Sequence, residues 1–155
     1  MTRRWRWSGA LVTLALASGL IVEPAGAKVT FSGIGGVELG MSRTDVREEL
    51  GAASSEKLWT DDRTVILQYR RRKLEVLLDP EFDRVVAVKT TSRAQRTSSG
   101  LGVGSSERSV RDRLRGEKCG SAAGVRVCSV DRNGRVMDFA CRRGKVVSVS
   151  VSRSG

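Results

Sequence analysis

Cysteine is the residue type in this sequence that points most directly to defined chemistry: Cys119, Cys128 and Cys141 fall within one short stretch of a 155-residue chain. In an oxidising compartment two of the three pair and one is left over. Histidine is absent, which removes Ser-His and Cys-His nucleophile arrangements and the commonest metal ligand together. Carboxylates cluster at Asp61-Asp62 and along Asp79, Glu81 and Asp83. A calcium loop needs a longer run of oxygen ligands and a glycine at its sharp turn. "DPEFDR" has neither and reads as a turn between strands. "GIGG" from Gly33 and "GLGVG" from Gly100 lack the strand-glycine-helix-lysine order of a phosphate cradle and read as turns leading into helices. The serines near Gly100 and Gly104 have no base in any recognisable motif. The expectation is a protein that is not an enzyme, with no cofactor and no metal.

Two basic runs remain as candidates for recognition: Arg70, Arg71, Arg72 and Lys73, then Arg142, Arg143 and Lys145 around Gly144. Both fall where hairpins should end, so their side chains reach into solvent toward an acidic partner or an anionic polymer. Charges at turns and edges also keep sheets soluble and unpaired, with no ligand required.

The elements that position these residues are written twice. "GVELGMSRTDVREEL" from Gly36 is followed sixty-four positions later by "GLGVGSSERSVRDRL" from Gly100. In the first phrase Ser42 is a good N-cap, Asp45 stands three residues on in a capping-box arrangement, and Met41 and Val46 occupy staple positions. Val46 and Leu50 lie one turn apart on one face, and Gly51 stops the helix. The second phrase keeps Ser106, Val110 and Leu114 but has Ser105 in place of the methionine, so its helix is the weaker one.

Alternating strands follow each phrase. A turn at Arg71-Arg72 sets Tyr69 against Leu74, Leu67 against Val76 and Val65 against Leu78, all on one side of a hairpin. Val86 and Val88 continue that side on a third strand. In the second half Asn133-Gly134, the dipeptide most favoured in tight hairpins, sets Val130 against Met137 and Cys128 against Phe139. Val147, Val149 and Val151 then alternate with polar partners. The expected fold is α+β: two tandem repeats, each a short helix and a three-stranded antiparallel meander, with a shared core and the helices on one face. The repeats span 28–92 and 100–155, joined by the polar link 93–99. One such unit would be marginal alone, so the second supplies the core that the first lacks.

These placements bear on the cysteines. Cys119 follows the second helix, and Cys128 points from the next strand toward the side where that helix packs. A Cys119–Cys128 bridge is favoured, with Cys119–Cys141 its rival; Cys128 and Cys141 would be diagonal across a hairpin, a poor disulfide geometry. Cys141 is then a buried thiol serving as a small hydrophobe.

Residues 1–27 have the three parts of a secretory signal: Arg3, Arg4 and Arg6, an apolar run from Ala10 to Val22, and Ala25-Gly26-Ala27 before a cleavage site. The apolar run is shorter than the roughly 20 residues needed to span a bilayer. Export to the periplasm or beyond, with cleavage near Ala27, is expected. The chain carries a formal net charge of +11, and losing the leader's three arginines and one glutamate leaves +9. Such a protein favours anionic surfaces. Few aromatics and an exported destination argue against nucleic acid.

Gly40-Met41-Ser42, Val46, Leu50 and Gly51, followed by short alternating strands, resemble the helix-then-meander module of the SmpA/OmlA-type outer-membrane assembly lipoproteins. Two modules in tandem in an exported chain look more like the β-lactamase inhibitory protein. This resemblance implies a non-catalytic sheet that binds another protein, as an enzyme inhibitor or an envelope-assembly accessory. A Cys119–Cys128 bridge also matches a helix-to-strand bridge of the inhibitory protein. The chain has no cysteine before Cys119 to carry a lipid, and no binding residue of either relative maps onto it. The functional expectation is an exported, monomeric protein-binding module that does not span the membrane. The alternative is a basic protein that binds anionic envelope polymers or lipid headgroups.

Overall fold

The structure, a computed structural model, describes residues 29–59 and 64–154. The signal segment 1–27 and the Asp61-Asp62 cluster lie outside the described residues. A small antiparallel pair, β1 (Gly33–Ile34) and β2 (Val37–Glu38), leads into helix α1 (Arg43–Leu50). Strands β3 (Ser55–Trp59), β4 (Thr64–Tyr69), β5 (Leu74–Asp79) and β6 (Arg84–Thr90) follow. Helix α2 (Glu107–Arg113) then precedes β7 (Lys118–Ala122), β8 (Val125–Arg132), β9 (Arg135–Arg142) and β10 (Lys145–Arg153).

The expected α+β architecture of two helix-plus-three-stranded-meander repeats is corrected by this topology. The protein is mostly β: β3 to β10 form one eight-stranded antiparallel sheet in the order β3-β4-β5-β6-β10-β9-β8-β7, beside the two-stranded β1-β2 sheet. The helices are only 8 and 7 residues long. Four strands, not three, follow each helix. The unexpected strands are the sheet's edges, "SEKLW" and "KCGSA", whose side chains are largely exposed. An edge strand wetted on both faces needs no apolar alternation and leaves none in the sequence. The sheet is made continuous by β6 pairing with β10, Thr90 opposite Val149 and Val88 opposite Val151.

Two hairpins have the register that alternation demanded, whereas bulges in the β5–β6 and β9–β10 pairs bring Val85 and Val146 to the core in place of the expected Val86 and Val147. Val65, Leu67 and Tyr69 pair with Leu78, Val76 and Leu74, and Val130 and Cys128 pair with Met137 and Phe139. The first connection differs in form: Arg70–Arg72 make a 3₁₀ turn, closed by Lys73 in the left-handed region at φ 53°. Asn133-Gly134 and Arg143-Gly144 are two-residue turns with both residues at positive φ. That backbone matches the strand twist, and glycine adopts its second position without strain.

One face of the sheet carries the core, including Leu78, Val85, Val88, Phe139, Val149 and Val151, each buried to 0 % exposure. Both helices and the β1–β2 pair cover this face, contributing Val46, Leu50, Val110, Ile34 and Val37. Each helix N-terminus docks on a hairpin of the sheet. Arg43 N donates to Asp83 O and Val85 N to Met41 O; Glu107 N donates to Gly144 O and Val146 N to Ser105 O. Ser42 caps α1 by accepting from Asp45 N (3.2 Å) while Asp45 Oδ2 accepts from Ser42 N (2.9 Å). That bond holds the Asp45 carboxyl below its ordinary pKa. Ser106 caps α2 through Ser109 N without the reciprocal carboxylate. Polar though it is, the connection after β6 is tied down: Gln95 is buried, and Arg96 bridges to Gly102.

Candidate functional site: an open sheet face and a cationic end

Among the described residues the second face of the large sheet has no helix on it. Cross-strand pairing places one polar residue on each of the eight strands in a single row: Ser55, Gln68, Glu75 and Lys89, continuing through Ser150, Asp138, Ser129 and Lys118. In the first half the row is bonded internally. Ser55 Oγ donates to Gln68 Oε1 (2.9 Å), Gln68 Nε2 to Glu75 Oε1 (3.4 Å), and Lys89 Nζ lies 3.6 Å from Glu75 Oε2. The parallel row beside it runs between Lys57 and Asp131 and is mainly apolar at its centre: Ile66, Leu77, Ala87, Ser152 and Val136. These central positions are half-buried by their neighbours alone. At strand spacings of about 4.8 Å, seven intervals give a face about 34 Å wide and about 20 Å along the strands. That is about 700 Å², close to the area one partner contributes to a standard protein interface.

Both expected basic runs lie at one end of this sheet. Leu74 pairs with Thr90, and Thr90 with Val149, so the β4–β5 turn and the β9–β10 turn project in the same direction. Arg70, Arg71, Arg72, Lys73, Arg142, Arg143 and Lys145 are all exposed. None of their side chains takes part in a salt bridge or hydrogen bond among the described residues. The main chain beneath the first turn is fixed: Lys73 O accepts from Thr91 N (3.0 Å) and Thr90 Oγ1 (3.1 Å), and Arg70 N donates to Ser54 Oγ (3.1 Å). The opposite end carries Leu58, Trp59 and Phe82, exposed by 63, 56 and 66 %. Asp79, Glu81 and Asp83 also sit there, as a turn: Asp79 Oδ1 accepts from Glu81 N and Phe82 N, and Asp83 accepts from Arg43 Nε at 2.9 Å.

Cys119 and Cys128 form the disulfide, with Cα atoms 4.0 Å apart. Its setting differs from the expected one. Cys119 lies on β7, directly opposite Cys128 on β8, so the bridge joins the edge strand to its neighbour and does not staple α2 to the sheet. Cys141 is a buried free thiol whose Sγ faces Phe139 O at 3.8 Å. Burial pushes its pKa up, Glu107 adds to the rise and Arg126 opposes it. A thiol held in its protonated form is a poor nucleophile.

A cleft of about 320 Å³ lies under the N-terminal segment, lined by Phe31, Ser99, Arg113 and Arg132 among others. Its guanidinium groups are engaged, Arg113 Nη1 with Ser99 O (3.0 Å) and Arg132 over the Phe31 ring (4.9 Å). Among the described residues no group of His, Cys, Asp and Glu side chains has the arrangement of a metal site. None of the helices there is long and apolar enough to cross a membrane.

No protein-family model matches the chain, and no curated protein matches its sequence. Solved structures share its fold. A DUF4309 family protein (YjgB) from Bacillus subtilis superposes with a TM-score of 0.57 at 8 % identity, over 83 % of this chain and 88 % of that one. An extracellular protein containing a SCP domain, from Bacillus anthracis, gives 0.59 at 9 % identity over 90 % of this chain and 50 % of its own. A cysteine-rich secretory protein (SAV1118) from Staphylococcus aureus gives 0.53 at 12 % identity over 74 and 43 %. The chain thus spans half or less of the last two proteins. At these identities the likeness is one of fold.

Proposed function

We propose that this protein is an exported, non-catalytic binding module whose uncovered sheet face docks another protein. One observation carries the reading: an eight-stranded sheet has its core on one face and leaves the other, about 700 Å² in extent, without any helix or strand upon it among the described residues. Its rows of apolar, hydroxyl and charged side chains form a broad surface, with one open cleft of about 520 Å³ toward the β3 edge lined by Lys57, Trp59, Ile66, Gln68, Glu75 and Lys89. This is also the mode implied by the resemblance of the Gly40–Gly51 phrase to the assembly-lipoprotein module and the inhibitory protein, so an enzyme to be inhibited or an envelope component fits as partner. Export is supported by the leader-like N-terminus, by the Cys119–Cys128 bridge, and by fold neighbours that are themselves an extracellular and a secretory protein. A non-catalytic role is supported by the lack of histidine and by ionisable groups engaged in exposed or half-exposed pairs such as Arg43 with Asp83 and Glu56.

The test is capture of envelope and culture-fluid proteins on the immobilised protein at low and high salt. The reading predicts one protein held in fixed stoichiometry at high salt, because a packed interface loses little to screening. Retention of no protein at high salt would refute it.

A further inference from the structure

The topology assembles the cationic end from parts far apart in the chain, and we propose that it is a second, separate binding site, for a linear phosphate-bearing polymer. The two turns are divided by β6. Their centres are three strand spacings apart, and the β9–β10 hairpin runs four residues past the level of Thr90. At about 4.8 Å per spacing and about 3.4 Å per residue, the charged tips stand about 15–20 Å apart. The gap is not empty of charge. Arg93 follows β6, is exposed, and its Nε would lie 3.7 Å from a Cβ placed on Gly104. Gly104 N in turn donates to Val146 O (2.8 Å) at the start of β10. Cationic groups therefore run from the first tip through Arg93 to the second.

Three carboxylates near this end are held in ion pairs: Glu75 with Lys89, Glu107 with Arg126, and Asp112 with Arg108. The tips keep their charge for an external anion. Most of these cations are arginines, whose planar fork takes phosphate oxygens in pairs. The spacing selects length: a single phosphate or a short oligophosphate reaches one tip, whereas a polymer engages both and gains by effective concentration. The arrangement of apolar groups selects a polymer over a bilayer. Membrane-surface binding joins cations to buried apolar anchors, but Leu58, Trp59 and Phe82 are at the far end. Val147, 38 % exposed, lies on the strand behind the second tip.

Calorimetric titration of the purified protein with inorganic triphosphate, with long-chain inorganic polyphosphate, and with phosphatidylglycerol–phosphatidylcholine vesicles tests the proposal. Tight binding of the long polymer alone is expected, weakening steeply with salt. R71Q/R72Q and R142Q/R143Q should each lower its affinity by about a hundredfold, as losing one of two linked contacts does. The charge-matched variant R135Q/R153Q, at the opposite end, should change it by less than about threefold. Three results would overturn the proposal: equal affinity per phosphate for short and long chains, a loss in R135Q/R153Q equal to that of the tip variants, or vesicle binding as tight as polymer binding. All six positions are exposed, so an unchanged Tm certifies each variant as folded. A failure here leaves the sheet face untouched, and the tip variants should retain any protein captured at high salt.

Discussion

Breaking the Cys119–Cys128 bridge is a quantitative probe of how the edge of the sheet is held. The bond closes a loop with a sequence separation of 9. By the chain-entropy relation its loss frees about 9 cal/mol/K in the unfolded chain, or about 2.6 kcal/mol at 25 °C. Unfolding entropies scale at about 2 cal/mol/K per residue, so for the ordered part of this chain the loss is about 10 °C in Tm. Cys119 is the residue to change. Cys128 is fully buried, and truncating it would add a cavity cost to the measurement, whereas Cys119 sits half-buried on an edge strand. The assay is equilibrium urea unfolding of the oxidised protein and Cys119→Ala under one set of conditions, with reductant added to the wild type as a second route to the same state. The two routes should agree within about 0.5 kcal/mol. Most other side chains of β7 are exposed and contribute little core, so amide exchange should rise first between Lys118 and Ala122. A stability loss under about 0.5 kcal/mol would show that the bridge does not hold the edge of the sheet in this way. It would mean that β7 detaches without cost to the rest and that the bond constrains nothing in the cooperative unit.

Other consequences follow from single side chains. Ser42→Ala removes the hydroxyl that accepts from Asp45 N, while the backbone N–H that donates to the Asp45 carboxylate stays, and should cost about 1 kcal/mol by urea unfolding; Ser106→Ala removes the acceptor of Ser109 N and should cost a similar amount. Cys141 is buried, and burial raises its pKa, so a thiol reagent should label it slowly in the folded protein and rapidly in denaturant. Tyr69 is buried and its pKa is raised, chiefly by that burial. Above the ordinary tyrosine pKa near 10 the unfolded chain loses this proton while the folded one keeps it. The Tyr69 contribution is therefore complete below about pH 10 and lost as pH rises toward the folded value. Tyr69→Phe should flatten that alkaline limb when unfolding is measured as a function of pH.

How much of this was legible depended on where a residue packs. The hairpin from Val65 to Leu78 declared its register because six apolar side chains share one buried face. Strands β3 and β7 declared nothing, since edge strands bury too little to impose a period. That omission turned four-stranded halves into three-stranded ones and put Cys119 behind a helix when it lies on a strand. The correct pairing of Cys119 with Cys128 was still favoured, because Cys128 sits on a strand whose alternation is clear. The β6–β10 pairing joins residues about sixty positions apart, and local pattern carries no information about it. For the same reason the sequence showed two basic turns but not that they share an end of the sheet. Arg93, isolated in a polar link, gained significance from topology alone.

If the uncovered sheet face is where a partner docks, a bulky charge at Ser150 should block it. Ser150 lies in the middle of the polar row, half-buried on β10 between Lys89 and Asp138. An arginine there has Asp138 beside it and open space in front, so the fold should survive with an unchanged Tm. The measurement is the Kd of the protein captured at high salt, for the wild type, for Ser150→Arg, and for Arg47→Glu on the exposed surface of α1. Ser150→Arg should weaken binding by about a hundredfold or more, as for a clash at the centre of an interface, and Arg47→Glu should change it little. Unchanged binding by Ser150→Arg, with the loss appearing in Arg47→Glu, would place the partner on the helix-covered side and rule out docking on the uncovered face.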